Sequence, residues 1–196
     1  GIQNGIHSIG GAAALMARRI YGAGRGIQIL VVGAGQAAET VVRHLVAKDF
    51  DRVLVTNRTW ERARDLASAL GGEAFPFEDL TRRLSEVDLV VFSAASPEAL
   101  LSARDLRPLL SGRKRPLFLI DLGLPRNVTE DCGGLEGVYL YDLDDLREMV
   151  RESLERKTSE KEQAQALSQA AAKECCAVLD APARVGAGAL AAGGRR

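Results

Sequence analysis

A glycine-rich turn directly after an apolar run is the part of this sequence with the clearest chemical meaning. The turn has the spacing G-x-G-x-x-A, and it follows the strand-like run Ile27–Val32. The first glycine permits a tight bend, the second lets the backbone approach a pyrophosphate, and the small third residue lets the next helix pack closely. N–H groups at the helix start then face the phosphates. The candidate dinucleotide-binding residues are Gly33, Ala34, Gly35, Gln36, Ala37 and Ala38. A turn that binds nothing is the alternative, and the flanking strand and helix favour binding.

A second group of candidates, Asn57-Arg58-Thr59, stands at the end of the next predicted strand. Domains that prefer NAD carry Asp or Glu about 20 residues after the glycine turn, where the acid binds the ribose 2′-OH. An acid would repel a 2′-phosphate, whereas Arg58 can pair with it and lie against the adenine face, and Asn57 and Thr59 can donate hydrogen bonds. The pattern therefore predicts NADPH. In the alternative, Thr59 caps the helix that begins at Trp60 and Arg58 is solvated, and capping is compatible with phosphate binding.

Small residues follow the fourth predicted strand, Leu89–Phe92, at the edge where cofactor and substrate meet in doubly wound sheets. They leave room for a nicotinamide ribose, although an ordinary loop has much the same composition. The candidates in this loop are Ser93, Ala94 and Ala95.

The loop after the fifth predicted strand contains Gly123 and Arg126. We expect Gly123 to lie near the nicotinamide. For Arg126, a contact with phosphate, substrate or another domain and an ion pair with Asp121 are both open.

No catalytic constellation emerges from the sequence, and we expect no metal site. Cys132 lies in an acidic, glycine-rich loop without a neighbouring histidine, so nothing is expected to lower its pKa towards a reactive thiolate. Cys175 and Cys176 lie late on a polar helix and are expected to be passive. His44 falls in the first crossover helix, where a surface or packing role is expected, and His7 falls in a loose lead-in.

Short apolar runs alternate with helical patterns of about ten residues, which predicts crossover units and a parallel sheet. The predicted strands are Ile27–Val32, Arg52–Thr56, Glu73–Phe75, Leu89–Phe92, Leu117–Ile120 and Val138–Tyr141. The predicted helices are Ile9–Ile20, Ala37–Ala47, Thr59–Leu70, Glu78–Leu84 and Ala103–Leu110. The fold class is therefore α/β, a doubly wound parallel sheet of the Rossmann type with about six strands in the order 3-2-1-4-5-6, followed by a long C-terminal helix.

The predicted organisation is a leading helix (1–25), an NADPH-binding domain (26–142), a long helix (143–180) and a disordered Ala/Gly-rich tail (181–196). The long helix carries a sparse apolar stripe of Leu146, Met149, Val150, Leu154 and Leu167 among many charges.

Composition excludes several classes of protein. The 196 residues include 26 basic and 26 acidic residues, so no net charge attracts nucleic acid or anionic lipid, and any RNA contact would need a local patch. No apolar run approaches the roughly 18 residues that a membrane span needs. Three cysteines form neither an even disulfide framework nor a zinc-binding spacing, which favours a reducing, cytoplasmic compartment. Nothing at the start of the sequence resembles a secretory signal.

With these motifs assembled, residues 8 to about 170 resemble the NADPH-binding domain of glutamyl-tRNA reductase and the start of its long spinal helix. The stretches that carry the resemblance are Ser8–Gly22, Ile29–Gly35, Val55–Thr59 with Glu61–Ala63, Phe118–Arg126 and Leu135–Leu146. The last two of them are far more discriminating than the glycine turn.

The resemblance implies the first committed step of tetrapyrrole (porphyrin) synthesis, in which NADPH reduces glutamate esterified to its tRNA to glutamate-1-semialdehyde. In that family a cysteine of an N-terminal domain attacks the ester, releases tRNA and holds the thioester that receives hydride. No cysteine here matches that nucleophile, and we expect the catalytic and dimerisation domains to be lacking. We therefore expect this chain to bind NADPH without full turnover and to meet glutamyl-tRNA only through the missing catalytic domain.

The sequence departs from the family pattern at two places in the binding loops. Gln36 stands where an acid is common, and Ser93-Ala94-Ala95 stands where a Ser/Thr/Gly-rich loop is expected.

Two other functions are open at this point. One is another NADP-dependent module of the shikimate dehydrogenase type, which shares the Asn-Arg-Thr logic but needs a catalytic Lys and Asp from a substrate domain that we do not find. The other is a non-catalytic nucleotide-binding interaction protein. Its long helix would pair with another chain, including a homodimer, through Leu146, Val150 and Leu154.

Overall fold

The computed structural model describes residues 2–50, 52–156 and 163, and the chain divides into two compact units, Gly1–Glu152 and Ser153–Arg196. Six parallel strands form the sheet of the first unit, in the order β3-β2-β1-β4-β5-β6. Both the strand number and the order confirm the prediction. The strands are β1 (Gln28–Val32), β2 (Arg52–Thr56), β3 (Glu73–Ala74), β4 (Leu89–Phe92), β5 (Leu117–Asp121) and β6 (Val138–Asp142).

Helices cover both faces of this sheet, as its continuous apolar strands require. Alternate residues of β1 enter different cores: Ile29 and Val31 join one, and Leu30 and Val32 join the other. The helices are α1 (Ile2–Tyr21), α2 (Gln36–Val46), α3 (Trp60–Leu70), α4 (Leu80–Leu84) and α5 (Ala103–Leu106), with α6 described over residues 143–156. Three 3₁₀ turns cover Phe77–Asp79, Arg107–Leu109 and Glu130–Gly134 among the described residues.

Helix α1 packs against α2, and its buried face belongs to the first core. It begins at Ile2, so position 7 lies within the helix and not in a loose lead-in. At its other end, the Tyr21 hydroxyl donates to the carbonyls of Asp88 and Pro116, the latter at 3.1 Å. These bonds attach the end of α1 to the amino ends of β4 and β5.

Several predicted elements end one or more residues away in the structure, and two of these differences have identifiable reasons. The helix expected over residues 103–110 stops at Leu106 and continues as a 3₁₀ turn that contains Pro108, because proline removes a helical N–H donor and its ring crowds the preceding turn. Strand β5 runs one residue further than expected, to Asp121, whose carboxylate finds backbone partners inside the fold.

The structure describes only part of the region for which a long C-terminal helix and a tail were predicted. Leu146 is buried in the first core and Val150 packs against it, so these members of the predicted stripe are not an unpartnered face; Leu154, in the second unit, is exposed. The rest of the long helix apart from position 163, the tail 181–196, Cys175 and Cys176 lie outside the described residues. The predicted domain boundaries stay predictions. Within the described chain, every helix is too short or too polar to cross a bilayer.

Candidate dinucleotide-binding site

The site is built at the carboxyl edge of the sheet, where β1 lies between β2 and β4. Val32, the last residue of β1, is in register with Thr56 on one side and Phe92 on the other. The ladder continues just beyond the strands, because Gly33 N–H donates to Thr56 O at 2.8 Å and Ser93 N–H donates to Val32 O at 2.8 Å. The loops after these three strands therefore begin at one level, at the crevice where doubly wound folds bind nucleotides.

The two glycines of the turn are required by the packing of this chain itself. Gly33 has φ +100°, and a Cβ there would lie 2.6 Å from the backbone of Ser93 and Ala94. Gly35 has an ordinary extended backbone, but its Cβ would lie 2.3 Å from Ser93 Oγ. Sequence reasoning assigned Gly35 to the approach of a pyrophosphate, and it missed this contact with the loop after β4.

Helix α2 presents the unpaired N–H groups that an anion can use. The first N–H groups of a helix have no intrahelical partner, and Gly35, the N-cap residue, has no side chain that could cap them. Ala38 is fully buried, as close packing of α2 on the sheet requires, whereas Gln36 is exposed and Ala34 and Ala37 are half-buried. The arrangement can hold a phosphate at the helix start.

The Asn57-Arg58-Thr59 loop is ordered by contacts that the sequence did not reveal. The Asn57 amide donates to Thr59 O at 3.0 Å, and Thr59 is the N-cap of α3 without making a side-chain capping bond. The guanidinium of Arg58 donates to Ser96 Oγ at 3.1 Å and lies 5.8 Å from the ring centre of Phe77. Of the alternative, Thr59 is indeed the N-cap residue of α3, though its side chain makes no capping bond, and Arg58 is exposed but contacts Ser96 and Phe77.

The loop after β4 is joined to the loop after β5 by one side chain. Asn127 is fully buried and makes two bonds to one peptide unit: its Oδ1 accepts from Ala94 N–H at 2.9 Å, and its Nδ2 donates to Ala94 O at 3.0 Å. A Cβ on Gly123 would lie 2.7 Å from Asn127 Cγ. Gly123 and the Ser93–Ala95 loop therefore lie together around Asn127, a residue that we did not single out from sequence.

Asp121 fixes the start of the loop after β5. Its carboxylate accepts backbone N–H bonds from Gly123 at 2.9 Å, Asn127 at 2.8 Å and Val128 at 2.9 Å. Burial raises the pKa of Asp121, and these three bonds oppose the rise. Arg126 instead pairs with Glu130 at 2.8 Å and with Asp142, so the suggested Arg126–Asp121 ion pair is replaced by these two.

Two other side chains of reactive types, Cys132 and His44, are engaged in packing and hydrogen bonds. Cys132 is buried, and its burial raises the pKa of the thiol, against a hydrogen bond with Thr129 that lowers it. His44 Nδ1 lies 2.9 Å from Thr40 O, and the ring fills the space beside Gly10, where a Cβ would come within 2.6 Å. In the part of the chain that the structure describes, no three His, Cys, Asp or Glu side chains are grouped to hold a metal ion.

Comparisons with known proteins agree with this geometry. The sequence model of the family described as shikimate/quinate 5-dehydrogenase matches residues 15–149. The glutamyl-tRNA reductase of Nitratidesulfovibrio vulgaris (strain DP4) is 41% identical over 161 residues, which are 82% of this chain and 37% of that protein. The one from Desulfovibrio desulfuricans is 44% identical over 154 residues, 78% of this chain and 36% of the relative.

Solved structures give the same result. Glutamyl-tRNA reductase from Methanopyrus kandleri has a TM-score of 0.75 and 40% identity, over 81% of this chain and 40% of that one. The nucleotide-binding domain of the Thermoplasma volcanium enzyme shares the fold, with a TM-score of 0.60 and 21% identity over 76% of this chain and 96% of that domain. The chain spans little more than a third of the length of the curated relatives that it matches. It belongs to the shikimate/quinate 5-dehydrogenase family and is a homologue of the glutamyl-tRNA reductases.

Proposed function

We propose that this chain is the NADPH-binding domain of a glutamyl-tRNA reductase, an enzyme that reduces glutamyl-tRNA to glutamate-1-semialdehyde for tetrapyrrole synthesis. The identity of about 40% to enzymes of that name supports the assignment to this enzyme. The observation that carries the choice of cofactor is Arg58, a cation held at the carboxyl end of β2 in a loop without a carboxylate. We place the protein in the cytoplasm on its cysteine usage.

The residues present fit a phosphorylated dinucleotide. The Gly33–Gly35 turn brings the start of α2 against the loop after β4 with no side chain between them. The uncapped N–H groups of α2 would hold the pyrophosphate, and Arg58 would neutralise the 2′-phosphate, with Asn57 and Thr59 beside it. Ser93, Ala94, Ala95 and Gly123 would line the nicotinamide end.

When bound, NADPH supplies the hydride for the reduction. The described residues of this chain bind and orient, and we assign them no proton transfer and no covalent step. Cys132 is buried and its burial raises the pKa of the thiol, so we do not assign it as the acyl acceptor. By the resemblance, the thioester forms on a cysteine of another domain, which also contacts the tRNA, and this chain alone binds NADPH without completing the reaction.

The matching family description favours a second candidate, a shikimate-type dehydrogenase module. NADPH binding does not separate the two functions, because both use the same loop. The two functions are separated by the reading frame on either side of this segment. An upstream domain with a cysteine supports the reductase, and a substrate domain with a Lys and Asp pair supports the dehydrogenase.

Calorimetric titration of the chain with NADPH and with NADH tests the cofactor. Loss of a charge-assisted phosphate contact costs a factor of about ten or more in affinity. We therefore expect Arg58→Ala to weaken NADPH about ten-fold and NADH less than about two-fold. Arg64→Ala on α3, which removes the same charge from an exposed ion pair with Asp65, is the matched control and should change neither. Equal affinity of the folded chain for both cofactors, or no binding of either, would refute the proposal.

A further inference from the structure

Few contacts fix the conformation of the Arg58 side chain. It is exposed, and a solvated arginine side chain samples many rotamers, which must be restricted when it binds a ligand. Within the described part of the chain, the Ser96 hydroxyl is its one hydrogen-bond acceptor, and the Phe77 ring is its one aromatic neighbour. A guanidinium has five N–H donors, so most remain available to a phosphate.

Ser96 is unusual among the residues of this loop because it is polar and almost completely buried, with 3% of its surface exposed. A buried hydroxyl normally takes part in a hydrogen bond, and here its oxygen accepts from Arg58 at 3.1 Å. The bond joins the loop after β2 to the loop after β4, 38 residues apart in sequence.

The backbone that carries Ser96 is itself firmly held. Three residues earlier, Ser93 packs against the glycine turn, where a Cβ on Gly33 would lie 2.6 Å from its carbonyl group. The next residue, Ala94, is held at both its N–H and its carbonyl by Asn127. Ser96 therefore offers Arg58 a fixed anchor, in contrast to a hydroxyl on a mobile surface loop.

We propose that Ser96 is a positioning residue that sets cofactor selection by holding Arg58 in its phosphate-receiving orientation, with Phe77 supporting one face of the guanidinium. The inference rests on the proposed function of Arg58 and adds a residue that does not itself touch the cofactor. The ordering of Arg58 is done before binding, so less affinity is lost to immobilising the side chain.

Adenosine 2′,5′-bisphosphate and 5′-AMP are suitable probes, since they differ only in the 2′-phosphate. Their affinity ratio is measured for the wild type, Ser96→Ala, Arg58→Ala and the double variant, with Ser68→Ala on the exposed side of α3 as the matched control. We expect Ser96→Ala to weaken the bisphosphate about five-fold and 5′-AMP by less than about two-fold. In the Arg58→Ala background, Ser96→Ala should leave the ratio unchanged.

The outcomes separate this inference from the function on which it rests. A wild type without preference for the bisphosphate refutes the proposed function. A wild-type preference that Arg58→Ala abolishes and Ser96→Ala retains refutes only the role of Ser96. Equal weakening of both probes by Ser96→Ala would show general damage to the loop. A further fall in the affinity ratio when Ser96→Ala is added to Arg58→Ala would show that Ser96 contacts the phosphate directly. Either result overturns the positioning role.

Discussion

Gly35→Ala separates two roles of this glycine, packing inside the chain and access for the cofactor. The backbone at Gly35 has φ −82° and ψ 148°, which alanine adopts without strain. The new Cβ would lie 2.3 Å from Ser93 Oγ, about 1 Å short of ordinary contact, and the next atoms are Ser93 O at 3.3 Å and Ser93 Cβ at 3.5 Å. The collision is therefore with one movable side-chain oxygen, and overpacking of this kind costs about 1–3 kcal/mol of unfolding free energy.

Ser93→Ala removes that oxygen and serves as the compensating change. We expect Gly35→Ala to lower the unfolding free energy by about 2 kcal/mol, Ser93→Ala alone by less than about 0.5 kcal/mol, and the double variant to recover most of the loss. Gly33→Ala is the contrasting control: its Cβ meets backbone atoms at 2.6 Å and its φ is +100°, so no side-chain deletion should rescue it.

Urea unfolding followed by far-ultraviolet circular dichroism measures these differences, and calorimetry measures NADPH binding by the same samples. If the Cβ at position 35 also obstructs the pyrophosphate, the double variant will be stable and still bind NADPH poorly. Equal destabilisation of Gly35→Ala and the double variant would refute the packing argument. Full recovery of binding in the double variant would show that Gly35 serves packing alone.

Two further perturbations test the loops around the site. Asn127→Asp replaces the donor to Ala94 O with a carboxylate oxygen, and we expect a loss of about 2–4 kcal/mol in urea unfolding at neutral pH; a change below about 0.5 kcal/mol would contradict the two-bond contact. At the start of α5, hydrogen bonds from the Ser102 hydroxyl at 2.6 Å and its backbone N–H at 3.2 Å lower the pKa of Asp105. The stabilisation by this cap is thus present above the ordinary Asp range and is lost as pH falls through the lowered value. Ser102→Ala should raise the pKa of Asp105 in a carboxyl ¹³C titration by NMR, and an unchanged midpoint would show that the cap does not cause the shift.

The fold was largely predictable from the sequence because its signals are local. Strands buried on both faces read as unbroken apolar runs, and β4 has the predicted bounds, Leu89–Phe92. The order of the strands followed from the usual order of doubly wound nucleotide-binding domains, a class that the alternation of strands and helices indicated. The ends of elements were less predictable. The stop at Leu106 follows from Pro108, a local signal that the prediction overlooked, whereas the end of β5 depends on backbone partners of Asp121 that only the folded chain supplies.

The candidate site was predictable in its residue types and not in its contacts. The glycine turn and Arg58 were recognisable by spacing after strands. Ser96 and Asn127 were not, because their partners lie 38 and 33 residues away, and only the folded sheet brings those loops together. Sequence patterns show the periodicity of neighbouring residues, whereas Ser96 and Asn127 contact residues that are distant in sequence.

The bond between Asn127 and Ala94 also has a consequence for how this domain can vary. Asn127 hydrogen-bonds only to the backbone of position 94, so a change of side chain at that position does not remove either bond. The same amide leaves no room for a Cβ at position 123. A smaller residue at 127 therefore relaxes the demand for glycine at 123, whereas the bonds to Asn127 place no demand on the side chain at 94. A search for correlated substitutions with position 127 would then detect position 123 and overlook position 94, although both residues contact Asn127.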